Sequence, residues 1–178
     1  MAKIPEARSG LVFRYRYLRV WQYQGGEQVG KDRPCCILLP LKPGQEAVGA
    51  AVYDEAGRSA TTRHIAGRDD VLIVLIQSDP PGTDQVGLEL SLEDKRHIGL
   101  PADSPSNIIV SEVNLDRWPN GDMSLVPGRQ TSFTCNRPVP GPTLSRIMKA
   151  FLRVVEAKKM MVLVRQPLTI PLLRPHGR

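Results

Sequence analysis

Residues 27–39 read Glu-Gln-Val-Gly-Lys-Asp-Arg-Pro-Cys-Cys-Ile-Leu-Leu, a polar, glycine-punctuated loop that turns into an apolar run. The apolar run is short enough to form one buried strand, and Arg33 and Pro34 stand where the loop meets it. Proline fixes its own φ and keeps the preceding residue out of the helical region, so we expect Arg33 to be extended at a strand entrance. A guanidinium on this rigid base suits an anion, although a solvated arginine before an edge strand gives the same pattern.

Residues 10–20 alternate aromatic with basic side chains, which is typical of a strand packed on one face. The aromatic face carries Phe13, Tyr15 and Tyr17, and the opposite face carries Arg14 and Arg16. We expect the aromatic face to lie in the core. Arginines interleaved with tyrosines also fit a nucleic-acid surface, through phosphate contacts and base stacking.

The most apolar run of the chain, residues 71–76, reads Val-Leu-Ile-Val-Leu-Ile. Its length and β-branched content predict a buried central strand. It ends at Gln77 and Ser78, which open a polar loop at the end of a core strand, a common location for functional side chains. Further strands are predicted at residues 86–90 and 107–110, with a short helical turn between them that Ser91 caps.

Apolar residues recur at helical spacing from Leu144 to Val155 and predict an amphipathic helix over about residues 143–159. The pattern as a whole predicts a mainly β fold, a small antiparallel barrel with this helix at its C-terminal end. We assign residues 1–140 to the barrel, with an inserted loop at about 45–70. Residues 141–178 then comprise the helix and a basic, proline-containing tail.

The net charge of +6 is unevenly distributed, since residues 1–34 carry +4, residues 35–140 carry −5 and residues 141–178 carry +7. Basic ends that meet on one face would attract a polyanion such as RNA, whereas a basic helix and tail can also be merely solvated.

The sequence lacks several familiar signatures. Three cysteines without a C-x-x-C pair and three histidines without ligand spacing predict no metal site. No P-loop, dinucleotide-binding or Ser-His-Asp signature occurs, so we expect no cofactor. Neither a membrane-length apolar run nor a secretion signal is present, and we expect a cytoplasmic protein with reduced thiols and no membrane contact.

The ordered series of segments resembles the PemK and MazF family of toxin ribonucleases from bacterial toxin–antitoxin systems. The likeness runs over about residues 10–128, and it is closest to the longer PemK-like proteins of alphaproteobacteria. It rests on five segments in order: 10–18, 27–35, 71–81, 95–100 and 108–119. The resemblance implies an SH3-like barrel that forms a homodimer and is inhibited by a cognate antitoxin.

The resemblance also implies an activity, metal-independent cleavage of single-stranded RNA such as mRNA. In this chemistry the ribose 2′-hydroxyl attacks the neighbouring phosphate and leaves a cyclic phosphate and a 5′-hydroxyl, so a cation must stabilise the phosphorane and two protons must move. By resemblance Arg33 stabilises the phosphate and donates a proton to the leaving oxygen, and Glu27 is a candidate for general base or substrate orientation. Lys31, Arg14 and Arg16 are candidate RNA-binding residues.

The second family position departs from the family pattern. Gln77 stands where the family has a threonine, and the hydroxyl of Ser78 follows one residue later, on the opposite face of an extended chain. Both residues are candidate catalytic groups. The departure leaves an alternative open, the same barrel acting as a catalytically weak module that binds nucleic acid or an antitoxin peptide.

Overall fold

The computed structural model describes residues 4–44, 46–47, 51–53, 59–60, 64–65, 69–135 and 137–165. Twelve strands and three helices are assigned within these residues. The strands are β1 (Val12–Tyr17), β2 (Lys31–Pro40), β3 (Glu46–Ala47), β4 (Ala51–Tyr53), β5 (Ser59–Ala60), β6 (His64–Ile65), β7 (Asp70–Gln77), β8 (Gly87–Glu89), β9 (Asn107–Ile109), β10 (Glu112–Arg117), β11 (Met123–Ser124) and β12 (Met161–Val164). The helices are α1 (Val20–Gln24), α2 (Leu92–Ile98) and α3 (Gly141–Glu156).

One large sheet dominates the fold, with the strand order β11-β1-β2-β7-β10-β12-β4-β5. Its first pairs are antiparallel, whereas β12 runs parallel to both of its neighbours, β10 and β4. The far end of β7 pairs with β9 instead of β10, and β8 pairs with β9 as a side branch. β3 and β6 form a separate two-stranded sheet.

Both faces of the central strands are buried, which explains why β7 reads as a continuous apolar run. One face packs against α3, whose apolar stripe includes Ile147, Phe151 and Val154. The other face holds an aromatic cluster in which Phe13 meets Trp118 edge-on, with ring centroids 4.9 Å apart. Alternation along each strand therefore decides which side chains enter the helix-covered core and which enter the aromatic core.

The sheet curls strongly around the aromatic cluster. In a flat sheet β1 and β10, which β2 and β7 separate, would lie about 14 Å apart. The hydroxyl of Tyr15 on β1 nevertheless donates a hydrogen bond of 2.9 Å to Asp116 on β10. A register irregularity in β2 between Ile37 and Leu39 lies where such bending is needed.

Asn114 joins the two sides of this curl through its side chain. It is fully buried on β10, and its amide group both accepts from the Leu18 N–H at 3.2 Å and donates to the Leu18 carbonyl at 2.8 Å. The side chain thus supplies to the end of β1 the hydrogen bonds that a neighbouring strand would supply. Arg165, directly after β12, donates to the same amide oxygen and to the hydroxyl of Tyr15.

The prediction of a mainly β fold with a C-terminal amphipathic helix is confirmed, and α3 covers most of the expected range. The described strands do not form a closed barrel. Their path is open, because β11 and β5 at its two ends each pair on one side within the described chain. Side-chain contacts across the curl, rather than a closing strand pair, connect β1 with β10.

Several elements were not predicted from the sequence, among them α1, β11 and β12. β12 lies in the region that we assigned to the tail, and it joins the residues after α3 to the main sheet. The predicted loop at about 45–70 falls partly outside the described residues, and its described pieces are the short strands β3 to β6. The rest of the tail, residues 166–178, also lies outside them.

No helix in the described ranges is both long enough and apolar enough to cross a membrane.

We expect Asn114→Ala to lower the free energy of unfolding by about 2–4 kcal/mol, because it leaves the buried N–H and carbonyl of Leu18 without partners. Urea denaturation followed by tryptophan fluorescence measures this loss. Asn120→Ala is the matched control, since that side chain contacts only local turn backbone, and it should cost about 1 kcal/mol or less. Equal midpoints for Asn114→Ala and the wild type would contradict the role of Asn114 in holding the curl.

Candidate functional site

The entrance of β2 and the exit of β7 lie side by side in the sheet. The last paired residues are Cys35 and Leu75, and the same register continued by two residues places Arg33 opposite Gln77. Both side chains then share the face that carries the aromatic core. The sequence prediction that these two positions form one site is consistent with this register.

Gly30 allows the loop before β2 to lie in close contact with the backbone at the end of β1. A Cβ at this position would lie 2.3 Å from the carbonyl oxygen of Tyr17, so any side chain would force the two backbones apart. Directly after this close contact, Lys31 pairs with Tyr17 and the β1–β2 ladder begins. Arg33 therefore projects from backbone that is paired on one side.

Arg33 is half-buried, and no hydrogen bond or ion pair joins its guanidinium to another described residue. Burial lowers the pKa of Arg33 below its ordinary value, and the nearby charge of Arg19 lowers it further. Asp79 opposes this shift through space. Because buried cations are normally paired, a half-buried arginine whose guanidinium has no partner among the described residues is a candidate anion-binding group.

A cleft of about 360 Å³ opens beside Arg33. Its polar lining includes Arg14, Arg33, Gln77 and Ser78, so four of the predicted site residues meet there. Its apolar lining includes Ile76, Leu100, Val126, Pro101, Pro105 and Pro127. A cationic end beside an apolar wall suits a ligand that carries both a phosphate and a base.

Gln77 is held by its own contacts. Its amide nitrogen lies within hydrogen-bond distance of the carbonyl oxygens of Asp79 and Pro80 and of the side chain of Gln85. Its amide oxygen accepts a bond of 2.8 Å from Arg19. With donor and acceptor both occupied, Gln77 shapes the loop after β7 and is not free to move a proton, whereas exposed Ser78 presents its hydroxyl to the cleft.

The predicted RNA-binding residues are not equivalent. Arg14 lines the cleft, but it donates to Asp32 in an ion pair of 2.8 Å, which neutralises part of its charge. Arg16 lies outside the cleft lining and pairs with Asp122. Lys31 is exposed at the start of β2 and is also outside the lining.

Glu27, predicted as a general base or orienting group, does not line the cleft. It is exposed after α1 and accepts a bond of 3.3 Å from Gln22. The Gln22 amide oxygen in turn accepts from the backbone N–H of Arg19, the residue that contacts Gln77. Glu27 is therefore linked to Gln77 through a chain of hydrogen bonds that runs over Gln22 and Arg19.

Sequence reasoning missed Arg19 and Glu112. Our predicted strand ran through Arg19 to Val20, whereas β1 ends at Tyr17, and a polar residue just past a strand end is a typical place for a site residue. Glu112 begins β10 on the same face as Asn114, inside the curl. The sequence holds no signal for that burial, because only the curl of the sheet encloses this face.

Burial raises the pKa of Glu112 to about 7, although the Val20 N–H and the charge of Arg19 act in the opposite direction. A buried carboxyl group whose pKa is raised to about 7 near Arg19 is a functional-site candidate. Among the described residues, no group of three or more histidine, cysteine, aspartate or glutamate side chains is arranged to hold a metal ion.

No protein-family model matches this chain, and no curated protein or solved structure matches it.

We expect Glu112→Gln to stabilise the protein more at pH 8 than at pH 4. The folded-state pKa of Glu112, about 7, lies above the ordinary value of 4.5, so its contribution to stability falls as pH rises between these values. Above pH 7 the buried carboxylate costs up to about 3 kcal/mol, and glutamine removes that cost. Chemical denaturation at both pH values measures the difference.

The control for this experiment is Glu156→Gln, which removes an exposed carboxylate from α3. Its effect on the free energy of unfolding should be the same at pH 4 and pH 8 within about 0.5 kcal/mol. If Glu112→Gln behaves like this control, Glu112 is not a strained buried acid.

Proposed function

We propose that the protein is a metal-independent endoribonuclease that binds single-stranded RNA in the cleft and cleaves it through attack of a ribose 2′-hydroxyl on the adjacent phosphate. The observation that carries the proposal is the guanidinium of Arg33, which has no partner in the described part of the chain and is half-buried at a cleft that also has an apolar wall. Such a guanidinium can hold two phosphate oxygens at once and gains strength from the exclusion of water.

The chemistry assigns two tasks to Arg33. Negative charge accumulates on the phosphorane as the 2′-oxygen attacks, and a positioned guanidinium stabilises it. The lowered pKa of Arg33 also favours donation of a proton to the leaving 5′-oxygen. Glu27 lies outside the cleft lining, so the proton of the 2′-hydroxyl passes to water, and Glu27 stays a candidate for orienting the substrate.

The family resemblance extends the proposal to a toxin of a toxin–antitoxin system with an SH3-like barrel. Support for the barrel comes from the curl of the sheet and from the bridging of β1 and β10 by Asn114 and Asp116. The homodimer, the cognate antitoxin and the cytoplasmic location rest on the resemblance and the sequence.

A second candidate function, an RNA-binding or antitoxin-peptide-binding module without cleavage, is favoured by a specific observation. The described cleft lining includes no carboxylate and no imidazole, and Gln77 is fully engaged with its own loop. The cleft can thus hold a phosphate without supplying a proton acceptor from its walls.

We expect the purified protein, in the presence of a chelator, to cut a long single-stranded RNA into discrete fragments that end in a cyclic phosphate. Arg33→Ala should reduce the cleavage rate at least about 100-fold, because the phosphorane loses its cation. Gel analysis of the fragments and mass spectrometry of their ends provide the measurement.

Lys149→Ala is the control, since it removes an exposed cation from α3, outside the cleft lining, and should leave the rate within about threefold. Cleavage that is equally fast in Arg33→Ala would overturn the mechanism. Salt-dependent binding by the wild type without any fragments would favour the module.

A further inference from the structure

We infer that Arg19 and Arg33 together form a two-guanidinium site for one phosphodiester, so that Arg19, which lies outside the cleft lining but is bonded to Gln77 at its border, is a second phosphate-binding residue. The inference rests on the proposed function in one respect, that the ligand is a single strand of RNA. It adds a residue that neither the sequence prediction nor the family resemblance assigned to the site.

The placement of Arg19 follows from the end of β1. Two residues past that strand, the chain turns into α1, and the Arg19 side chain reaches to the exit of β7, where its Nη2 donates to the Gln77 amide oxygen at 2.8 Å. Arg33 lies across from Gln77 by the register of β2 and β7. Gln77 therefore has one arginine bonded to it and the other facing it across the strand pair.

The two positive charges are poorly compensated by the surrounding protein. None of the described carboxylates lies at ion-pair distance from either guanidinium. Glu112 acts on Arg19 electrostatically, but it is close to half-protonated at neutral pH. Two neighbouring guanidinium groups repel each other, and an anion between them would replace that repulsion with attraction.

Arg19 also has an unused hydrogen-bond donor. Its Nε is buried and has no hydrogen-bond acceptor in the described part of the chain. A buried donor without a partner is costly, more so when it is charged, so native proteins rarely keep one. A small rotation of the partly exposed side chain toward a ligand would supply the acceptor.

A phosphodiester fits these requirements better than a carboxylate does. Its two non-bridging oxygens can each accept from a different guanidinium, and its tetrahedral shape allows the two arginines to approach from different strands. In the cleft this would fix one phosphate beside the apolar wall, with the adjoining base directed toward Leu100 and Val126.

Arg19 could instead act only by holding Gln77 and the loop after β7 in place. The salt dependence of binding separates the two roles. The slope of log K against log salt falls by about 0.7 for each phosphate of a single strand that loses its cationic partners, so it falls in Arg33→Ala alone if Arg19 only positions Gln77, and it falls only in the double variant if both arginines hold the phosphate.

The experiment measures binding of a 2′-O-methyl oligoribonucleotide, which the proposed reaction cannot cleave, at several salt concentrations. We expect Arg19→Gln to weaken binding about 10-fold at low salt and to leave the slope unchanged, because Arg33 still neutralises the phosphate. Arg33→Ala alone should likewise keep the slope, whereas the double variant should lose about 0.7 from it, because the phosphate then has no cationic partner. Arg117→Gln, an exposed arginine at the opposite end of β10, is the control and should leave the slope unchanged.

Wild-type binding by Arg19→Gln, or a slope that already falls by about 0.7 in Arg33→Ala alone, would overturn the inference. In either case loss of binding by Arg33→Ala would leave the proposed function standing. If neither Arg19→Gln nor Arg33→Ala weakens binding, the proposed function also fails.

A second measurement uses the wild-type chain and does not depend on the folding of an Arg19 variant. The Nε–H signals of the two arginines are followed by ¹⁵N nuclear magnetic resonance while the same oligonucleotide is added. We expect both signals to shift with one dissociation constant. A shift confined to Arg33 would overturn the inference.

Discussion

The amide of Asn114 supports the geometry on which the rest of the fold depends. It pairs with both backbone groups of Leu18, so the end of β1 is held against β10 although two other strands separate them in the sheet. A side chain can do this because the asparagine amide presents the same donor and acceptor as a peptide group. Complete burial strengthens these bonds, and it makes their loss costly.

The curl that Asn114 holds also explains the polar residues within it. Asp116 accepts a hydrogen bond from the Tyr15 hydroxyl. Arg165, directly after β12, donates hydrogen bonds to Tyr15 and Asp122 in the same region. Burial raises the pKa of Asp116, while the hydrogen bond from Tyr15 opposes that shift. The inside of the curl thus holds aromatic and apolar side chains near the middle of β1, and hydrogen-bonded polar side chains surround them.

The candidate site lies where this curl opens. Arg33 at the start of β2, Gln77 at the end of β7 and Glu112 at the start of β10 lie on the strand faces that, farther along each strand, line the inside of the curl. These side chains escape full solvation because they continue a buried face, which accounts for the shifted pKa values of Arg33 and Glu112. Arg19, in the turn after β1, contacts Gln77 at the same end of the sheet. The positive charges of Arg19 and Arg33 thus lie at this end, and none of the described carboxylates forms an ion pair with them.

The sequence by itself determined β1, β2, β7, β8 and β9, the aromatic face of β1 and the helix over the C-terminal region, and it singled out Arg33 as a candidate, because these follow from local periodicity and from the rigidity of an Arg-Pro pair. It also brought Gln77 and Ser78 to attention, since they end the most apolar strand. Only the tertiary structure decided that Gln77 is engaged, that Glu27 is remote from the cleft, and that Arg19 and Glu112 belong near the site. Each of these depends on contacts between residues far apart in the chain, and on the curvature of a sheet that no single strand encodes.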